Sequence, residues 1–307
     1  MEHTKLLSEL RILRDSRGFI AEEYLVKKQQ LMRNFFEDSG INAVVVGLSG
    51  GVDSALVAAL LCDFANLPES PLKKVSAVIA PIFGSGTSGQ ADAQDLAVLQ
   101  SLAVSEKSAA FEYQVCDLTA SYEAMLAAHP YREATAWTEG QMASVLRTPL
   151  FYYQAAILQQ QGFRSLLCGT TNRDEGAYIG FFGKASDAMV DLQLIADLHK
   201  SEVYKLAAHL GVIQEILNSV PRGDVWDNRN DEQMIGAPYW FLELYQRLLC
   251  ANTEVDFSES LHGEEKEFYQ LCKNNIETLH RINLHKYQVG NPAHFLDVLD
   301  RTVPGGW

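Results

Sequence analysis

Apolar positions in the first forty residues recur with a helical period. Leu6, Leu7, Leu10 and Leu13 share one face of a helix expected over 4–16. Tyr24, Leu25, Leu31, Phe35 and Phe36 give a second helix, over 20–38, an apolar side, and Ser16-Arg17-Gly18 separates the two. The pattern then becomes a continuous β-branched run at 43–48, which suits a strand buried on both faces of a parallel sheet. Residues 56–65 are apolar almost all round, the pattern of a buried helix.

Strands at 75–80, 111–115 and 165–168 alternate with helices at about 90–103, 118–128 and 139–161. This order predicts an α/β fold, a doubly wound, mostly parallel sheet with flanking helices. Its ligand loops should follow the carboxyl ends of the strands, after Leu48, Ala80 and Cys168. Residues 169–197 lack clean periodicity and read as a functional loop. A helix at 203–210, a polar loop at 221–231 and helices at 232–250 and 264–282 complete the chain. The expected division is a helical extension over 1–38, a main domain over 39–290 and a tail over 291–307.

Composition narrows the function. With Lys and Arg at 25 against Asp and Glu at 39, the formal charge of −14 disfavours a broad surface for nucleic acid. An apolar content of 47% supports a packed core and excludes wholesale disorder. Cys62, Cys116, Cys168, Cys250 and Cys272 lie at least 22 residues apart, so no zinc spacing or dense disulfide framework is present. The charged N-terminus is unlike a signal peptide, and no apolar run is long enough to span a membrane. These features lead us to expect a cytoplasmic protein without membrane contact.

The strongest chemical signal is Ser49-Gly50-Gly51-Val52-Asp53-Ser54, between the 43–48 strand and a helix. Free backbone N–H groups and the positive end of a helix dipole favour an anion there. Two glycines allow close approach, the serines add hydroxyls, and Asp53 can hold magnesium against phosphates. The stretch lacks the Walker A lysine and resembles the pyrophosphate loop of N-type ATP pyrophosphatases. Gly84-Ser85-Gly86-Thr87-Ser88-Gly89 is a literal dinucleotide fingerprint, but Pro81, Ile82 and Phe83 separate it from its strand, so it reads as a loop over the nucleotide.

Further on stand Gly169-Thr170-Thr171-Asn172-Arg173-Asp174-Glu175, Gly180-Phe181-Phe182-Gly183-Lys184-Ala185-Ser186-Asp187, Asp191, and Asp197-Leu198-His199-Lys200. Together with the upstream loop, these motifs resemble the NAD synthetases over about residues 20–290, with His285-Lys286 similar to the family's terminal pair. The resemblance implies an adenine nucleotide alpha-hydrolase-like fold. It also implies ATP-dependent amidation of nicotinic acid adenine dinucleotide by ammonia, through an acyl-adenylate, with AMP and pyrophosphate released.

By the same resemblance, Asp53 and Glu175 are the magnesium ligands, and Asp53, Glu175, Lys200 and Asp187 the catalytic set. ATP is assigned to Gly47, Ser49, Gly50, Gly51, Asp53, Ser54, Gln90, Thr170 and Lys200. The acceptor is assigned to Arg147, Phe181, Lys184, Asp187, Asp191, His285 and Lys286. Ile79 stands where the family commonly has arginine, Val145 where it has the first of two arginines, and Leu194 where it has proline. A homodimer is implied, with the apolar stretch 146–158 as the candidate contact. The alternatives are a related ligase that amidates another carboxylate, such as nicotinic acid mononucleotide, and a non-catalytic nucleotide-binding relative.

Overall fold

In a computed structural model, residues 3–83, 90–130, 133–220, 229–287 and 294–304 are described. The glycine-rich stretch 84–89 and residues 221–228 of the late polar loop lie outside them. Strand β1 (Ala43–Gly47) sits inside the sheet, between β2 (Lys74–Ile79) and β4 (Ser165–Gly169), parallel to both. Its side chains alternate between two cores. Val44 and Val46 face one, and Ala43 and Val45 face the other. Strand β3 (Phe111–Val115) pairs outside β2. The two-residue strands β5 (Leu192–Gln193) and β6 (His294–Phe295) extend the opposite side, and all pairings are parallel.

Helices cover both faces, as a doubly wound sheet requires. The helices α1 (Thr4–Arg17) and α2 (Ala21–Ser39) open the chain, and α2 buries Tyr24, Met32 and Phe36 in the first core. Helix α3 (Val52–Ala65) packs into the same core and is buried along almost its whole length. Helix α4 (Gln90–Ser105) adds Ala97 and Val104. Helices α5 (Thr119–Ala128) and α6 (Ala136–Gln160) lie on the other side, where α6 adds Ala155 and Leu158.

After β4 come the single-turn α7 (Arg173–Gly176), then α8 (Lys200–His209) and α9 (Gln214–Leu217). The helices α10 (Asp231–Ile235), α11 (Tyr239–Ala251), α12 (Glu254–Glu259) and α13 (Gly263–Asn283) close a second core with α1. Among the described residues, no helix is long and apolar enough to cross a membrane.

Several boundaries differ from those the periodicity predicts. Helix α3 starts at Val52 rather than Leu56, so the signal loop itself forms its first turn. The helix expected over 232–250 is two, because Gly236 ends α10 in the left-handed conformation and Pro238 caps α11. The apparent loop at 169–197 contains α7 and β5. Helix α12, β5 and β6 are too short for periodicity to reveal.

One buried carboxylate joins three distant parts of the fold. Asp197 Oδ1 accepts from Tyr24 Oη at 2.8 Å and Lys28 Nζ at 3.2 Å, both on α2. Its Oδ2 accepts the backbone N–H groups of Val298 and Leu299 at 2.8 and 3.1 Å. Lys28 also donates to the carbonyls of Leu194 (2.7 Å) and Leu296. Asp197→Ala should therefore strand a buried ammonium and two N–H groups. We expect a loss of about 3–5 kcal/mol in urea unfolding. A loss below about 1 kcal/mol would remove Asp197 from this role.

Candidate active site

Beyond β1 the chain turns sharply and enters α3. Gly50 has φ +85°, and a Cβ there would lie 2.3 Å from the Ala93 carbonyl oxygen of α4. Only glycine allows this turn and this contact together. Ser49 and Ser54 brace the turn from within. Ser54 Oγ donates to the Gly51 carbonyl at 3.1 Å and accepts from Ser49 N–H at 3.2 Å, while Ser49 Oγ accepts from Gly51 N–H at 3.3 Å. Asp53 lies in the first turn of α3. The result is a helix start whose dipole suits an anion, with one carboxylate at its rim.

Two further helix starts meet that rim. Asn172 caps α7, its Oδ1 accepting Glu175 N–H at 3.1 Å, and its Nδ2 donates to Asp53 Oδ1 at 2.9 Å. Lys200 is the first residue of α8. Its ammonium donates to Asp53 Oδ2 at 2.5 Å and Glu175 Oε1 at 3.2 Å. Tyr239, at the start of α11, donates to Glu175 Oε1 at 2.7 Å and to Asp231 Oδ2 at 3.3 Å. The Lys200 ammonium lies 4.8 Å from the Tyr239 ring centroid.

The charges of this cluster are mutually dependent. Burial raises Glu175 to about 7, and the nearby Asp53 and Asp231 add to it against the pull of Lys200. Burial alone would push Lys200 down, but Asp53 and Glu175 hold it well above the usual lysine range. Lys200 is therefore a cation at neutral pH. Carboxylates exceed ammonium groups in the cluster, which suits a hard divalent cation bound through oxygen. Among the described residues no three His, Cys, Asp or Glu side chains form a metal cage. Such an ion would complete its shell with phosphate and water.

Beside the loop is a cleft of about 160 Å³, lined by the ends of β1, β2 and β4 and by α6. Gly47, Ser49, Thr170, Arg147 and Asp187 are in its wall. Phe151 closes over Gly47, where a Cβ would lie 2.7 Å from its ring. Arg147 Nε donates to the Ala80 carbonyl at 2.8 Å. Gln90 begins α4, but its side chain lies outside the described residues.

The other acceptor-side candidates occupy varied settings outside the cleft wall. Phe181 packs against the second core, and Lys184 is exposed. Asp187, in the wall, also accepts from Gly183 N–H at 3.0 Å and Ser186 Oγ at 3.1 Å. Asp191 Oδ2 accepts Leu167 N–H at 2.8 Å and so secures the edge of β4. His285 is exposed, with Nδ1 2.9 Å from the Ile282 carbonyl. Lys286 donates to the carbonyls of Gly180 (2.8 Å) and Phe182 (2.5 Å), tying that loop to the end of α13.

Sequence reasoning left Asn172 and Tyr239 out of the candidate set. Asn172 had a readable signal, a cap residue three positions before Glu175. Tyr239 had none, since an aromatic residue entering an apolar helix normally reads as core.

The family model for NAD synthase matches residues 24–290. An NH(3)-dependent NAD(+) synthetase of Mycoplasmopsis pulmonis is 30% identical over 298 residues, covering 97% of this chain and 96% of that protein. Another, from Alkaliphilus metalliredigens, is 32% identical over 258 residues, covering 83% and 91%. Among solved structures, an NMN synthetase from Francisella tularensis aligns with TM-score 0.66 at 23% identity, covering 89% of this chain and 98% of that one. An NH3-dependent NAD synthetase from Campylobacter jejuni aligns with TM-score 0.62 at 20% identity, covering 92% and 100%. At these identities the structural likeness establishes the fold.

Gly50→Ala tests the loop directly. The strained φ and the contact with Ala93 should cost about 1–3 kcal/mol of stability. Calorimetry should show ATP affinity weakened by about tenfold or more. Unchanged affinity would separate the loop from the nucleotide site.

Proposed function

The chain belongs to the NAD synthase family, and on that footing we propose that it is an ammonia-dependent carbon–nitrogen ligase that amidates nicotinic acid adenine dinucleotide to NAD. ATP is the co-substrate and is cleaved to AMP and pyrophosphate. The observation that carries this reading is the meeting of Lys200, Asp53 and Glu175 at the rim of the Ser49–Ser54 turn.

In the first step an acceptor carboxylate oxygen bonds to the α-phosphorus of ATP, and the bond to the bridging oxygen breaks. Charge builds on the departing pyrophosphate. The N–H groups at the start of α3 and the Lys200 ammonium would receive it, with the Ser49 and Ser54 bonds keeping the turn in shape. Asp53 and Glu175 would hold Mg2+, which neutralises phosphate charge when bound. Asn172 and Tyr239 keep both carboxylates oriented. In the second step ammonia attacks the acyl carbon and AMP leaves, giving the amide.

The cleft is assigned to the nucleotide through Thr170, and Arg147, assigned to the acceptor, lines the same cleft. Asp187 is the one acidic side chain among the described residues lining it, and it is assigned to the acceptor side. Asp191 and Lys286 then act by holding the 180–191 loop in place, while Phe181, Lys184 and His285 are assigned to the acceptor by the resemblance. A homodimer through α6 is part of this reading. Val145, Tyr152 and Tyr153 form an exposed stripe there, with Tyr153 66% exposed. Five free cysteines suit a reducing compartment, which supports placement in the cytoplasm.

Mass spectrometry of the purified protein with ATP, magnesium, ¹⁵N-ammonium and nicotinic acid adenine dinucleotide tests the reading. Labelled NAD together with AMP is the expected result. Product only from nicotinic acid mononucleotide would change the acceptor, and ATP binding without AMP would leave a binding protein. Lys200→Met should lower pyrophosphate release about 10²–10³-fold. An equal collapse of fold stability and turnover would make Lys200 structural.

A further inference from the structure

Asp174 and His199 take no part in the reaction assigned above, yet both are fully buried. Each immediately precedes a residue of the central cluster, Glu175 and Lys200. Asp174 Oδ1 lies 2.7 Å from His199 Nδ1. Asp174 Oδ2 accepts the backbone N–H of Lys200 at 2.7 Å. One carboxylate thus bridges α7 to the first turn of α8.

The surroundings hold the backbone at both residues. The His199 backbone N–H donates to Glu202 Oε2 at 2.9 Å. Arg17 of α1 grips Glu202 with Nε at 2.6 Å and Nη2 at 3.1 Å, and its Nη2 also reaches the Asp197 carbonyl at 2.5 Å. On α11, Gln246 Nε2 donates to the Asp174 carbonyl at 3.2 Å. Burial pushes His199 down to about 3, so the ring is neutral, and its Nδ1–H faces the Asp174 oxygen.

A buried carboxylate and imidazole are a costly way to fill space. Apolar residues of the same volume stabilise a core as well or better. The Asp174–Nδ1 bond adds a fixed geometry between the two segments, although His199 Nε2 on the far side of the ring is buried without a hydrogen-bond partner, so the pair is held for its placement rather than for stability. We propose that the Asp174–His199 pair is a positioning device, which locks α7 to the start of α8 and so sets Glu175 and the Lys200 ammonium at ion-pair distance beside the glycine loop before substrate arrives. The proposal rests on Lys200 and Glu175 acting in pyrophosphate release as assigned above. Neither Asp174 nor His199 is a catalytic residue in it.

The test compares His199→Ala with His199→Asn. Asn carries its Nδ2 donor the same number of bonds from the backbone as the histidine Nδ1, so it can remake the bond to Asp174. Pyrophosphate release is measured over a range of ATP, and crystal structures give the position of Lys200. His199→Ala should lower kcat at least about tenfold, because a misplacement near 1 Å can cost about a hundredfold. The KM for ATP should stay within about threefold, since the glycine-loop and cleft contacts remain and Lys200 acts chiefly on the charge that builds in the transition state. Lys200 Nζ should leave Asp53, and His199→Asn should restore both rate and position.

A folded His199→Ala enzyme with Lys200 in place, or a rate loss that Asn fails to restore while remaking the bond, overturns the proposal. Asp174→Asn provides a second arm should His199→Ala fail to fold. Its amide oxygen can accept from Lys200 N–H, and its amide nitrogen can donate to the ring once the imidazole proton moves to Nε2. Its kcat should remain within about threefold, and a hundredfold loss with Lys200 unmoved overturns the proposal. If the wild-type protein releases no pyrophosphate, the functional reading fails, and the displacement of Lys200 in the crystal structures alone decides the positioning role.

Discussion

The Lys200 ammonium between Asp53 and Glu175 is the contact on which the site depends. Two carboxylates this close repel each other, and burial makes each charge more costly. The lysine makes the arrangement tolerable without neutralising it fully. A residual negative charge then sits beside a helix start that attracts anions. This opposition is productive for phosphoryl transfer, where cations and phosphate oxygens must share a small volume.

Holding that contact requires three helix starts to converge, and the fold supplies a brace for each. The turn before α3 is pinned by its own serines and by α4 resting on Gly50. Asn172 fixes α7 and reaches across to Asp53. The start of α8 is held by Asp174 from α7 and, through Glu202, by Arg17 from α1. The terminal segment adds a further restraint, since Arg173 on α7 donates to the carbonyls of Asp300 and Thr302 at 2.5 and 3.1 Å. The ends of the chain therefore serve the site as well as the core.

The 180–191 region, proposed for the acceptor, is organised differently. Here the polar residues largely satisfy one another and the backbone. Asp191 holds β4, Lys286 holds the carbonyls at 180 and 182, and Thr148 on α6 donates to the Ala185 carbonyl at 2.7 Å. The 180–191 loop is thereby tied to α6, β4 and the end of α13. Its shape is set by backbone contacts from outside the loop, and that shape presents Asp187 to the cleft.

Local pattern was enough for much of the architecture. The β-branched run at 43–48, the glycine–serine turn and the helix behind it are each specified by neighbouring residues, so strand, turn and anion site were legible together. The family resemblance added Glu175 and Lys200 to Asp53, and the fold brings the three within ion-pair distance. Short elements escaped, because β5 and β6 have two residues each and exist only through pairing with a strand that is distant in sequence. Tyr239 and the Asp174–His199 pair escaped for the same reason. Their roles come from partners on other helices, between 25 and 64 residues away. Sequence alone determined which chemical groups were present and which local turns would present them. Tertiary structure decided which of those groups meet, because hydrogen-bond geometry and desolvation arise only when distant segments pack together.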